Sequence, residues 1–149
     1  MIVLLTAWCN LGGHSERKSS LLAEARRRSE PVLGGFCGFQ GACGAGVGAG
    51  IFVSIASDSS PLKGRERGLS TRATAEALKV IGNTDAPRCG KRDTFLDLLS
   101  ADRFAKKNLG IDFPTSRVRR EFSDMNREGI GGACPFYDKP ARGTASVQD

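Results

Sequence analysis

The segment Gly34–Ala56 decides how the chain folds, and it reads GGFCGFQGACGAGVGAGIFVSIA. Eight of its first seventeen residues are glycine, and the apolar run Ile51–Ala56 ends it. Glycine is less favourable than alanine by about 1 kcal/mol per helical position, so such a density requires a steric reason.

That reason is visible in the spacing of the smallest side chains. Ala42, Gly46 and Gly50 lie four residues apart, and on a helix they would form a flat seam that another backbone or a cofactor could approach closely. The segment therefore predicts a buried Gly/Ala-rich helix from Gly41 to Ala56.

Helical spacing of apolar residues, bounded by capping residues and glycine or proline stops, recurs on both sides of this segment. The predicted elements are a buried helix or strand over Met1–Cys9, a helix through Leu21–Arg28 capped by Ser19 or Ser20, a helix over Thr71–Ile81 capped by Ser70 and stopped by Gly82, a loop over Pro87–Arg92, a helix from Asp93 or Thr94 to Gly110, and one turn over Ser123–Glu128.

The fold class that follows is mainly α, a compact helical domain around the Gly/Ala-rich helix with a loop-rich C-terminal region. A length of 149 residues suits one domain. We expect that domain to span residues 1–138 and the polar residues 139–149 to form a flexible tail.

A membrane span is not expected, although Pro31–Ser57 contains no charged residue. Glycine adds no apolar surface, so the transfer of this stretch into lipid would gain little. The apolar opening lacks the basic region of a secretory signal. Five cysteines, an odd number, also argue against a closed disulfide framework. The sequence indicates a cytoplasmic protein.

The net charge of +6 favours anionic partners without naming one. Two basic runs, Arg26–Arg28 and Arg117–Arg120, are too short for a polybasic arm and have no interleaved aromatic residues. Nucleic acid is therefore not an expected partner.

Four cysteines lie in or beside predicted loops, and they are Cys37, Cys43, Cys89 and Cys134. Thiolates are the preferred ligands of iron–sulfur clusters and of structural zinc, and backbone N–H groups of a glycine-rich loop would stabilise such a centre. The spacing lacks any C-x2-C pair, so the alternative is that these cysteines are small buried hydrophobic residues.

Cys89 also permits a catalytic interpretation. Arg88, Lys91 and Arg92 surround it, and nearby cations favour the reactive thiolate while offering a binding site for an anionic substrate. His14, in a separate turn, is the chain's single histidine. A base for this chemistry would otherwise come from Asp93, Asp97 or Asp124, although Asp93 suits a helix cap better.

The sequence resembles an uncharacterised cysteine-rich family of prokaryotes that is known as a domain of unknown function. The resemblance covers most of the chain in order, and it is carried by Leu4–Asn10, Gly35–Gly44, Gly50–Ser54, Arg67–Ser70, Pro87–Cys89, Lys91–Asp93 and Cys134–Tyr137. It implies no particular reaction. Association of some members with SAM-dependent or radical-SAM enzymes implies such an enzyme as a partner.

The chain also departs from that family pattern. Members of the family that the chain resembles have a Cys-Cys pair where Cys89-Gly90 stands here, and further cysteines near Arg120 and Gly129. They also continue upstream of the position of Met1. The resemblance therefore implies a chain shortened at its N terminus that has lost some cysteines.

Three functions follow as expectations. The leading one is a domain that holds an iron–sulfur cluster or zinc through Cys37, Cys43, Cys89 and Cys134, with an accessory redox or structural role. The second is a thiol-dependent enzyme in which Cys89 is the nucleophile and Arg88, Lys91 and Arg92 bind an anionic substrate. The third is a metal-free interaction module that packs its Gly/Ala seam on a partner chain.

Overall fold

The computed structural model describes residues 1–120, 125–126 and 129–137. These residues confirm the mainly α fold class. Within the described ranges the α-helices are α1 (Ile2–Leu11), α2 (Lys18–Ser29), α3 (Phe36–Phe39), α4 (Gly44–Ala56), α5 (Gly64–Gly82) and α6 (Gly90–Leu109), with short 3-10 helices at Ser15–Arg17 and Gly131–Ala133.

Helix α4 is the predicted Gly/Ala-rich helix, and it packs against α1, α2, α5 and α6. It begins at Gly44 rather than Gly41, so Ala42 precedes it. A Cβ atom on Gly46 would lie 2.8 Å from Leu78 Cδ2, and one on Gly50 would overlap Thr74 Oγ1 and lie 3.1 Å from the Ser70 carbonyl oxygen. Because Gly46 and Gly50 lack a Cβ atom, α5 can pack closely against this seam.

The hydrophobic core gathers around this helix pair. Phe52 and Val53 of α4 are fully buried, and the Phe52 ring lies 5.9 Å from the ring of Phe113, beyond α6. Helices α1, α2, α5 and α6 each add one or more buried residues, namely Leu4, Leu5, Ala25, Leu69, Ala73, Ala77, Ala101, Phe104 and Ala105.

Three helix starts differ from the sequence predictions, since α4 begins later than predicted and α5 and α6 begin earlier. Helices α4, α5 and α6 begin at Gly44, Gly64 and Gly90, and none has a side-chain hydrogen bond to its first amides. Ser70 lies inside α5, where its hydroxyl donates to the Arg67 carbonyl instead of capping.

The remaining predicted boundaries are close to the observed ones. Helix α2 begins at Lys18, one residue before the predicted caps, and the Ser20 hydroxyl donates to the Arg17 carbonyl. Helix α6 ends with Gly110 in the left-handed region at φ +67°, as expected for a glycine stop. The opening segment is helical, from Ile2 to Leu11.

The chain divides into two compact units, Met1–Thr115 and Ser116–Asp149. In the second unit, the Arg120 amide donates to the Phe136 carbonyl at 3.1 Å, beside a single parallel bridge between Arg120 and Tyr137. The predicted domain end at residue 138 stays a prediction. Residue 138, the tail after it, and the turn over Ser123–Glu128 apart from residues 125–126 lie outside the described part.

Among the described residues, no helix has both the length and the apolar character needed to cross a membrane. Helix α4 has the apolar character but only 13 residues, which is well short of the roughly 20 that a span requires.

Candidate functional site

A cavity of about 240 Å³ lies beside the starts of α4 and α6, and we name it the thiol pocket. Its wall joins an apolar side, a glycine-rich side and a polar side. The lining residues are Val32, Leu33, Gly34, Gly35, Phe36, Cys37, Cys43, Gly44, Ala45, Arg88, Gly90, Asp93 and Thr94.

Two cysteines enter the pocket from one short loop. The Ala42 amide donates to the Phe36 carbonyl at 3.1 Å, and Gly41, at φ +67°, turns the chain between them. Cys37 follows the first bonded residue and Cys43 follows the second, so the same hydrogen bond holds both cysteines on the pocket wall. Both are half-buried and neither forms a disulfide.

The starts of two helices provide the electrostatics of the pocket. Cys43 and Cys89 are the residues that immediately precede α4 and α6, and Gly44 and Gly90 line the cavity. The first N–H groups of a helix have no partner within the helix, carry partial positive charge and point outward from its N-terminal end. Together with the exposed guanidinium of Arg88, they make the pocket favourable for an anion.

The three cations predicted to bind an anion have different positions. Arg88 lines the pocket, whereas Lys91 is exposed and is not among the described lining residues. Arg92 is buried, and it donates from Nε to Asp93 Oδ1 at 3.2 Å and from Nη2 to the Pro87 carbonyl at 2.8 Å. Its guanidinium therefore holds the Pro87–Cys89 turn against α6.

Asp93 is the carboxylate of the pocket, and it is itself buried within the first turn of α6. The sequence suggested Asp93 as a helix cap, but Cys89, four residues earlier, occupies that position. Its ion pair with Arg92 compensates the burial of both charges. The Asp93 carboxylate is therefore a negative group that Arg92 holds in place at the pocket wall.

Three of the four predicted metal ligands lie in the first unit. Cys37 and Cys43 share the thiol pocket, and Cys89 is buried between the lining residues Arg88 and Gly90. Cys134 belongs to the second unit, where its Sγ accepts a hydrogen bond from Arg120 Nη1 at 3.5 Å. Within the described ranges, no group of three or more His, Cys, Asp and Glu side chains could hold a metal ion.

The other candidate groups for a catalytic base lie elsewhere in the fold or outside the described part. The imidazole of His14 packs on the indole of Trp8, with 4.6 Å between ring centroids. Asp124 is not among the described residues. Asp97 lies one turn further along α6 than Asp93 and is 1% exposed.

Asp97 is a buried carboxylate, and its burial was not among the sequence predictions. Its Oδ1 has no hydrogen-bond partner among the described atoms. Burial raises the pKa of Asp97 to about 7, and the positive charge of the Met1 amino group partly opposes this shift. The signal was present in the helical spacing, since residues 93, 97, 101 and 104 share one face of α6 and all four are buried.

Comparison with curated proteins and with solved structures gives no match. Comparison with protein-family models gives a match over residues 1–137, to a family of unknown function (DUF5714).

Proposed function

The chain belongs to DUF5714, a family of unknown function, and from its own residues we propose that the thiol pocket binds a small anionic ligand and acts on it through Cys37 and Cys43. The observation that carries this proposal is the shared cavity, which is lined by two half-buried thiols, by Arg88 and by the starts of two helices.

Each part of the pocket has a separate task in this proposal. The amides at the starts of α4 and α6 and the Arg88 guanidinium bind the anionic group of the ligand. The apolar side, including Val32, Leu33 and Phe36, contacts the rest of the ligand. The two thiols are the nucleophiles, since a thiolate is the most nucleophilic ordinary side chain at neutral pH.

This assignment moves the reactive thiol away from Cys89. Cys89 is 6% exposed, while Cys37 and Cys43 are half-buried on the pocket wall. In the proposal, Cys89 contributes by starting α6 at the right place, and its neighbour Arg88 provides the cation.

The alternative functions have less support from the described residues. An iron–sulfur cluster or zinc held by Cys37, Cys43, Cys89 and Cys134 stays a prediction, with two of the four ligands in one cavity. The Gly/Ala seam predicted to pack on a partner chain is covered by α5 at Gly46 and Gly50.

A pair of alkylating reagents tests the proposal. Iodoacetate and iodoacetamide have similar size and the same chemistry, but only iodoacetate carries a negative charge. We expect both to modify Cys37 and Cys43, located by peptide mass spectrometry, and the ratio of the iodoacetate rate to the iodoacetamide rate to exceed that of free cysteine.

Two matched variants assign this preference to the pocket. Arg88→Ala should lower the rate ratio by roughly fivefold, which corresponds to about 1 kcal/mol for two charges a few ångströms apart in water. Lys91→Ala removes an exposed cation three residues away and should leave the ratio unchanged. Equal ratios in all three proteins would overturn the proposal.

Metal analysis of an anaerobic preparation tests the alternative that these cysteines are metal ligands. Stoichiometric iron or zinc that is lost in the Cys37→Ser/Cys43→Ser variant would show that the two cysteines bind a metal and would overturn the proposed thiol chemistry. A metal-free folded protein with the alkylation pattern described above would support the thiol site.

A further inference from the structure

We propose that Cys37 and Cys43 form a redox-active dithiol that reduces a low-molecular-weight disulfide carrying an anionic group. This inference deepens the proposed function and rests on it, since it names the class of ligand and the reaction of the same pocket.

The backbone holds the two cysteines as a potential pair. The hydrogen bond from the Ala42 amide to the Phe36 carbonyl, 3.1 Å long, joins the residues that immediately precede Cys43 and Cys37. A disulfide requires Cα atoms roughly 4.4–6.8 Å apart. Gly41 turns the loop at φ +67°, which returns the chain to Phe36 immediately before Cys43.

Exposure confines the reaction to this pair. Cys9, Cys89 and Cys134 are buried, with exposures of 0%, 6% and 5%. Cys37 and Cys43 are half-buried and line the pocket. A disulfide that enters the pocket therefore meets two thiols from one loop and no other cysteine among the described lining residues.

The charge of the pocket selects the ligand. Arg88 and the starts of α4 and α6 favour an anionic group close to the thiols. The thiolates that leave during exchange are also anions, and the same groups stabilise them as they form. A carboxylate-bearing disulfide meets both conditions within a cavity of about 240 Å³.

The exchange proceeds in two steps. The thiolate of one cysteine attacks one sulfur of the ligand, the ligand S–S bond breaks, and the first ligand thiolate leaves from a mixed disulfide. The thiolate of the second cysteine attacks the protein sulfur of that mixed disulfide and expels the second ligand thiolate. The two protons lost by the cysteine thiols pass to the leaving thiolates. The protein dithiol is thus oxidised by two electrons, and the ligand disulfide is reduced to two thiols.

The test uses 5,5′-dithiobis(2-nitrobenzoate), an anionic aromatic disulfide whose leaving thiolate is coloured. The folded full chain should release two equivalents of the coloured thiolate, retain no adduct, and yield a cross-linked peptide pair containing Cys37 and Cys43. Each single variant, Cys37→Ser and Cys43→Ser, should release one equivalent and retain one mixed disulfide on the remaining cysteine.

Controls separate charge selection from exchange. Arg88→Ala should lower the ratio of the rate with the anionic disulfide to the rate with the neutral 2,2′-dithiodipyridine several-fold, while Lys91→Ala should leave this ratio unchanged. Circular dichroism of each variant confirms that it is folded before its rate is compared.

The outcomes that overturn this inference differ from those that overturn the proposed function. Retention of two mixed disulfides by the folded wild-type chain, with no link between Cys37 and Cys43, would refute the dithiol while leaving the iodoacetate preference intact. Loss of the iodoacetate preference would instead remove the anion-binding function on which the choice of ligand rests.

Discussion

Replacement of Asp97 by asparagine tests the physical consequence of the buried carboxylate in α6. Asp97 is 1% exposed, its Oδ1 lacks a partner, and burial raises its pKa from 3.8 to about 7. The folded protein therefore keeps a proton that the unfolded chain releases near pH 4. The contribution of Asp97 to stability should therefore be most favourable below pH 4 and should fall as the pH rises to about 7.

The size of this effect follows from the shift. One pKa unit corresponds to about 1.4 kcal/mol, so a rise of about three units lowers the free energy of unfolding by on the order of 4 kcal/mol above pH 7. Between pH 5 and pH 8 the same relation gives a loss of roughly 2.5 kcal/mol. A typical domain is stable by only about 5–15 kcal/mol, so the loss is measurable.

Urea denaturation followed by far-ultraviolet circular dichroism at pH 5 and pH 8 measures the effect. Asparagine keeps the size of the side chain and is neutral at both pH values. The free energy of unfolding of Asp97→Asn should therefore lack most of the decrease between pH 5 and pH 8 that Asp97 causes in the wild type. Asp112→Asn is the matched control, because that carboxylate is largely exposed and pairs with Lys106 on the surface. Equal pH dependence in the wild type and Asp97→Asn would refute the reasoning.

Two further substitutions test the packing that positions the pocket, both by urea denaturation. Gly50→Ala should gain about 1 kcal/mol in helix propensity but lose more through overlap with Thr74, for a net destabilisation of about 1–2 kcal/mol. Gly44→Ala in the same helix, where a Cβ atom has ordinary contacts, should show no loss, and equal effects at both glycines would contradict the close-packed seam. Arg92→Ala should destabilise the protein by about 3–5 kcal/mol because it leaves the buried Asp93 carboxylate unpaired. A change below about 1 kcal/mol would show that this ion pair does not hold the start of α6.

The helical fold was predictable because apolar residues recur at helical spacing, but the helix starts were not. Capping rules look for serine, threonine or aspartate, and they pointed to Ser70 and Asp93. The helices begin instead at Gly64 and Gly90, without side-chain caps. The starts of α5 and α6 therefore do not follow from local capping signals.

The candidate site was predictable in composition and not in arrangement. The sequence singled out Cys37, Cys43 and Arg88, which the fold brings to one cavity. It treated Arg92 as a free cation, because arginine is seldom buried, whereas Arg92 is held by Asp93 and the Pro87 carbonyl. Whether a charge faces solvent or its neighbour depends on the rotation of α6 against the core, and only the structure gives that rotation.

The glycines of α4 also have a consequence for the order in which the chain acquires structure. Four glycines between residues 44 and 50 remove about 4 kcal/mol of intrinsic helix stability relative to alanine. Such a segment does not form a helix alone, so α4 becomes helical when α5 and α6 supply their faces. During synthesis α4 leaves the ribosome before either of them. Phe52, Val53 and Ile55 therefore lack the contacts of α5 and α6 until residues near 109 have emerged, and during this interval their exposed apolar surface favours aggregation.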